Sequence, residues 1–412
     1  LEREMSSAYP ELTRGRELAQ RVLKQEEERF AETLANGMEL LEGVIAGLPG
    51  PAAVIPGETV FKLYDTYGFP ADLTADIARE RGLTIDTEGF DAAMEEQRRR
   101  SQEASKFGVG DRGGAFVDAR TAFKGYEGLE SEGRVVALLQ GGQPVAELRS
   151  GESGEVVLDR TPFYAEAGGQ VGDTGALTGS SGFRFLVQDT VKRGAAHSHA
   201  GRVTEGSIRI GDTVRAQVDG ERRRAIALNH TATHLLHAAL RKTLGTHVQQ
   251  KGSLVAPDRL RFDFSHFQPV TAAELTTIER LVNAQIRRNE PAETRLMGYE
   301  SAVAAGAMAL FGEKYDKDVR VLRVGDFSME LCGGTHVQRA GDIGLFKILG
   351  EGGVASGVRR IEAISGEAAI EYVEQNDSLL RDLAQLVRGS REDVKDKVQD
   401  TLERVRQMER EV

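Results

Sequence analysis

A multidomain α+β fold is predicted by three observations. The chain is longer than one hydrophobic core supports, its N-terminal quarter carries helical periodicity, and its middle trades that periodicity for dense glycine and short β-favouring runs. At 412 residues, roughly two to four domains are expected. The predicted order is a helical part over 1–107, a small glycine-rich β-barrel over 108–221, an α+β core over 222–366 and an amphipathic helix over 367–412.

In the first part, Leu18, Val22, Phe30, Leu34, Leu41 and Ile45 recur at near-helical spacing among charges, which predicts one long amphipathic helix from Glu17 to Ile45. A turn is expected at Pro49, Gly50 and Pro51. The apolar stretch from Val60 ends at Gly68 and Pro70. Leu73 to Arg81 reads as a further helix with Asp72 as N-cap and Gly82 as stop, and Phe90 to Arg100 as another.

After Gly108 the runs Val156 to Leu158, Phe183 to Val187 and Ser207 to Val218 read as short strands between glycine-rich turns, the pattern of a small barrel. Helical periodicity returns in Ala225 to Leu244, and helix and strand patterns then mix through Ile364. Finally Val387, Val394, Val398, Leu402, Val405, Met408 and Val412 fall on one stripe of a predicted amphipathic helix or coiled coil. The chain opens on Leu1 inside a charged segment and closes on Val412 within that stripe, so a fragment is expected.

Composition excludes several classes. With 40% hydrophobic and 28% charged residues the chain matches neither a disordered nor a fibrous protein. No apolar run approaches the roughly eighteen residues of a membrane helix. The single cysteine, Cys332, precludes an intrachain disulfide and suits a reducing compartment. A net charge of -11 argues against a generic nucleic-acid binder, so any such contact must use local basic groups. Arg98 to Arg100, Arg222 to Arg224, Arg287 with Arg288, and Arg359 with Arg360 are the candidates, each of which also reads as a solvated face.

The chemistry is carried by two pairs. His230 and His234 lie four apart in a helical pattern, so both imidazoles project from one face toward a common ion. Cys332-Gly333-Gly334-Thr335-His336 brings the thiol and a further imidazole together across two glycines. Such a nitrogen and sulfur donor set suits zinc. A thermolysin-like peptidase would need Glu beside the first histidine as general base, and position 231 is threonine. His237 lies near the same face and is expected to be satisfied by solvent or a backbone carbonyl, while His197, His199, His247 and His266 receive no role.

These residues resemble the editing domain of alanyl-tRNA synthetases, marked by an H-x-x-x-H pair and a later C-G-G-T-H. Thr246 to Val255, Arg261 to His266 and Gly357 to Glu362 resemble further blocks of that family. Phe163 to Asp173 resembles its glycine-rich barrel, and Tyr64 to Pro70 the end of its helical tRNA-recognition domain. The likeness covers almost the whole chain in the family's order.

The resemblance implies hydrolysis of the ester joining serine or glycine to tRNA(Ala), at a Zn2+ site held by His230, His234, Cys332 and His336. A second sieve is needed because one hydroxyl or methyl gives a synthetic pocket only about a hundredfold discrimination. Zinc could supply a nucleophilic water at neutral pH or position the ester. Four protein donors would close a tetrahedral site, so one ligand yields or the coordination expands. By the same resemblance Gln250 orients water or the ester carbonyl, Asp65 reads the acceptor-stem G-U pair, and Arg359 and Arg360 hold phosphate, while Thr233, next to His234, is placed to offer its hydroxyl to the substrate serine side chain. An exposed polar residue before a Lys-Gly turn for Gln250, back-bonding for Thr233, a turn role for Asp65 and salt bridging for the arginines are the structural alternatives.

ATP and Mg2+ would belong to an aminoacylation domain expected before Leu1, and dimerisation to a domain expected after Val412, so this polypeptide is not expected to charge tRNA. A cytoplasmic setting is implied. Other readings are a freestanding alanyl-tRNA deacylase, a non-catalytic tRNA-binding module with structural zinc, and a general metallohydrolase.

Overall fold

Arg16–Ala46 forms a 31-residue helix, α1, in a computed structural model that describes residues 2–9, 13, 15–48, 50, 53–108, 119–180, 182–308 and 317–411. The side chain of Leu18, the turn residues Pro49 and Pro51, and both chain ends, Leu1 and Val412, lie outside the described residues. The chain divides into two compact units, Leu1–Gly113 and Gly114–Val412. No helix among the described residues is long and apolar enough to cross a membrane.

In the first unit, α1 is followed by α2 (Gly57–Tyr67), α3 (Ala71–Glu80) and α4 (Thr87–Gly108). Leu41, Val60, Leu63, Phe69 and Ala78 share its core. Helix α2 ends because Gly68 takes φ +70°, which directs its N–H to Tyr64 and that of Phe69 to the Leu63 carbonyl. This closure turns Phe69 into the core, where it is fully buried. The expected N-cap at Asp72 is not formed. Pro70 is already extended and accepts the Thr74 N–H, so the helix begins two residues earlier and Asp72 bonds to the Leu73 N–H within the first turn.

In the second unit, six strands close a barrel: β1 (Glu130–Gln140), β2 (Ser153–Leu158), β3 (Gly175–Thr178), β4 (Arg184–Arg193), β5 (Ala196–Glu205) and β6 (Thr213–Val218). All neighbours are antiparallel, and β6 closes the ring by pairing with both β3 and β1. Inward positions carry Val135, Val156, Leu158, Leu177, Phe185, Val203 and Val214. The run expected as one strand around Gly211 is two, Ser207–Arg209 and β6, because Gly211 turns with φ +94°.

The α+β core follows, with helix α5 (Gly220–Leu244) started by Asp219, whose side chain accepts the Arg222 N–H. Strands β7 (Gln250–Val255) and β8 (Leu260–Ser265) precede helix α6 (Ala272–Arg288). After these come β9 (Ala292–Gly298), α7 (Tyr299–Ala304), β10 (Asp318–Val324), β11 (Ser328–Leu331), β12 (Phe346–Ala355) and β13 (Val358–Ser365). One antiparallel sheet has the order β7-β8-β13-β12 and a second β9-β10-β11. Leu235, Leu236 and Leu240 of α5 pack with Phe262, Phe264, Ile278, Val282, Phe346 and Ile361. Burying so many large apolar side chains, each worth about 1.5–3 kcal/mol, makes α5 the rigid spine of this half.

The C-terminal stripe is interrupted. Helix α8 (Glu367–Leu386) ends at Val387, Arg388 takes φ +52°, and α9 (Val394–Glu411) begins afresh. Val387 keeps the apolar spacing but caps the first helix instead of continuing into the second.

Candidate metal centre

The spine helix presents His230 and His234 on one buried face, with ring centroids 5.2 Å apart. Leaving β11, the chain reverses through Cys332-Gly333-Gly334 and returns His336 to the same point. One ligand atom from each of the four residues lies within 4.8 Å of all the others. Cys332 Sγ is 3.4 Å from His230 Nε2 and 3.2 Å from His336 Nε2. Tetrahedral zinc bonds imply donor separations of roughly 3.3–3.6 Å, so these spacings fit one ion.

Hydrogen bonds around the cluster fix which nitrogen faces it. Gln170 Oε1 accepts the Thr335 N–H at 2.9 Å, so the atom 2.8 Å from His230 Nδ1 is an oxygen and that nitrogen must donate. The Gln170 amide is locked from its other end by Nε2 donating to Thr335 Oγ1. His234 Nδ1 donates to Glu330 at 2.7 Å. Thr231 Oγ1 gives its hydrogen to the Ala227 carbonyl, leaving it an acceptor for His336 Nδ1 at 3.3 Å. Each ring therefore turns its Nε2 inward, the arrangement that partners of metal-binding imidazoles produce. His234 Nε2 is buried without a hydrogen-bond partner among the described residues, a cost that an ion at the centre removes. The residues present fit zinc on this geometry and on their donor chemistry.

Electrostatics agree. Burial opposes charge on Cys332, yet the imidazoles of His230, His336 and His234 bring its thiol well below its usual value. Burial likewise opposes charge on Glu330 and His234, but His234 and His237 take Glu330 down to about 2, and Glu330 with the Cys332 thiol takes His234 up to about 10, so an ion at the centre must displace the proton on His234 Nε2. Burial lowers His336 to about 3, leaving it neutral and able to ligate.

His237 corrects the reading that gave it solvent or a carbonyl, because its Nδ1 donates to the second oxygen of Glu330 at 2.9 Å. Arg223 is likewise not on a solvated face. It is buried, forks onto Asp173 and donates to the Gly125 and Pro162 carbonyls, which ties α5 to the barrel loop carrying Gln170. Gln170, Glu330 and Thr335 carry no assignment from the sequence; the available signals were a glutamine between turn glycines and a glutamate flanked by Met329 and Leu331.

The other candidates are less convergent. Gln250 opens β7 opposite Phe264 and is half-buried. Thr233 is buried and donates to the Asn229 carbonyl at 2.8 Å. Arg359 forks onto Glu351 and Arg360 onto Asp263. Asp65, in the first unit, is exposed near the end of α2 and accepts from Gln97, so it sits in a helix and not in a turn.

A family model for tRNA synthetases class II (A) matches residues 1–222, and one for the threonyl and alanyl tRNA synthetase second additional domain matches residues 319–362, which include Cys332 and His336. The chain is 56% identical over 415 residues to the alanine–tRNA ligase of Nitrosococcus oceani, covering 100% of this chain and 47% of that protein. Against the alanine–tRNA ligase of Stenotrophomonas maltophilia it is 56% identical, covering 99% and 47%, and against that of Idiomarina loihiensis 54%, covering 100% and 47%. The chain thus spans about half the length of these relatives.

Proposed function

The chain belongs to the alanyl members of the class II (A) tRNA synthetases, and from that premise we propose that its second unit hydrolyses serine and glycine esters of tRNA(Ala). The observation that carries this reading is the convergence of three inward Nε2 atoms and a low-pKa thiol on one point. His230, His234, Cys332 and His336 hold zinc, which when bound supplies a Lewis acid for the ester carbonyl. Gln170, Glu330 and Thr231 keep the three rings aimed. Gln250 orients the attacking water or the carbonyl. Thr233 spends its hydrogen on Asn229 and so offers only lone pairs, suited to accept the hydroxyl hydrogen of a substrate serine.

For the nucleic acid, Arg359 and Arg360 face phosphate with the donors their carboxylate partners leave free, and Asp65 accepts from the guanine amino group of the G-U pair. ATP-dependent aminoacylation with Mg2+ and dimerisation are proposed for the whole protein, in a cytosol that keeps Cys332 reduced. A second reading, zinc that only braces a tRNA-binding module, is favoured by the count of four protein donors.

One assay separates the two. The chain is incubated with Ser-, Gly- and Ala-tRNA(Ala), with and without a chelator. Release of serine and glycine that the chelator or Cys332→Ala abolishes supports hydrolysis; full activity in a metal-free sample overturns the zinc role, and binding without release favours the bracing role.

A further inference from the structure

Tyr126 stands over the hinge that joins the two halves of the donor set. Its hydroxyl donates to the Gly333 carbonyl, one residue from Cys332, while 49% of the residue remains exposed. Arg320 lies against one face of the ring, its guanidinium carbon 3.3 Å from the centroid, and Phe123 meets the ring edge-on at 4.8 Å. Arg320 donates to the Gly334 carbonyl at 3.2 Å and to Thr294 Oγ1 at 3.4 Å.

Arg223, Arg359 and Arg360 each fork onto a carboxylate, whereas Arg320 is half-buried and has no carboxylate within ion-pair distance among the described residues. A guanidinium carries five N–H donors, and two contacts leave several free. An exposed aromatic ring backed by an unpaired guanidinium, at the rim of a hydrolytic centre, has the chemistry of a site for one unpaired nucleotide.

We propose that Tyr126 and Arg320 form the subsite for the 3′-terminal nucleotide of the RNA, the ring stacking on its base and the guanidinium holding its phosphate. This rests on the ester-hydrolase reading, which places the terminal ribose at the donor cluster. The base attached to that ribose must then lie within one nucleotide of Cys332, which is where Tyr126 stands.

The chain contains no tryptophan, so Tyr126→Trp introduces a sole indole at the subsite. The probe is an RNA hairpin ending in unpaired CCA, compared with the same hairpin lacking the terminal A. Expected is quenching of the indole by the first that is lost with the second. Tyr126→Ala should weaken binding and raise KM for Ser-tRNA(Ala) about tenfold, with kcat within about twofold and zinc content unchanged, as loss of one base stack implies. Tyr126→Phe should restore what Ala loses, since stacking needs the ring and hinge support needs the hydroxyl. Equal quenching by both hairpins, no quenching at all, or Phe as weak as Ala overturns the proposal. Terminal-A-dependent quenching in a chain that releases no amino acid would leave the subsite standing and remove the hydrolase reading instead.

Discussion

The Glu330 carboxylate accepts the Nδ1–H of His234 at 2.7 Å, which turns that ring's other nitrogen toward the thiol of Cys332. Glu330→Gln removes the charge and sets an amide N–H against His237, whose ring also donates to that group. Zinc affinity, read by competition with a chelating dye, should fall about 10–100-fold. An unchanged affinity would show that the carboxylate is only a satisfied core group.

Gln170 reaches the cluster from the barrel loop, and its Oε1 serves both His230 and the Thr335 N–H. Gln170→Leu leaves that N–H unsatisfied, at a cost of about 1–3 kcal/mol in a urea melt, and releases the tautomer of His230. Ester hydrolysis should drop about tenfold or more, with Gln170→Glu recovering most of the stability because it still accepts. A melt that does not move would rule the bridge out as a structural tie.

A Cβ on Gly334 would lie 2.0 Å from Cε1 of His230 and 2.4 Å from its Nδ1. Gly334→Ala must therefore push the imidazole off the cluster, and zinc content measured by mass spectrometry should fall well below one per chain. Gly333→Ala, where the nearest atom is the Tyr126 hydroxyl at 4.0 Å, should lose much less. Equal zinc in both variants would contradict the close approach.

His199 is fully buried in the barrel, donating Nδ1–H to the Val156 carbonyl at 2.7 Å and accepting from the Thr161 hydroxyl with Nε2. Burial lowers its pKa from 6.5 to about 4. The unfolded chain thus binds a proton that the folded chain refuses, so stability is full above pH 6.5 and is lost as pH falls through about 4. The loss attributable to this ring approaches about 3 kcal/mol. Urea melts at pH 7, 5.5 and 4 should show a flatter decline for His199→Gln than for the parent chain; parallel declines would refute it.

Thr233 donates to the Asn229 carbonyl, so its hydroxyl has only lone pairs left to offer. Thr233→Val should slow serine release about five- to tenfold more than glycine release, on the order of one lost hydrogen bond. Equal slowing would assign the residue to the helix alone.

Local patterns made much of this molecule legible. The histidine pair of α5 and the Cys-Gly-Gly-Thr-His hinge are short-range spacings, and the barrel announced itself through glycine density and β-branched runs. What stayed hidden are the groups whose meaning depends on distant partners. Gln170 is 165 residues from Thr335, and Arg223 is 50 from Asp173, so no periodicity marks either as buried. Glu330 has no mark near it in the sequence, because the histidines on its two oxygens, His234 and His237, lie 96 and 93 residues away. The break after α8 was masked by Val387, which keeps the apolar spacing while Arg388 turns the backbone aside.

The donor set joins residues 102 positions apart, from His230 to Cys332. During synthesis the ribosome delivers a lone histidine pair long before the hinge exists, and such a pair grips a metal only loosely. A truncated or half-made product therefore lacks a complete cage, and loading with metal can report that the whole core has been made and has closed.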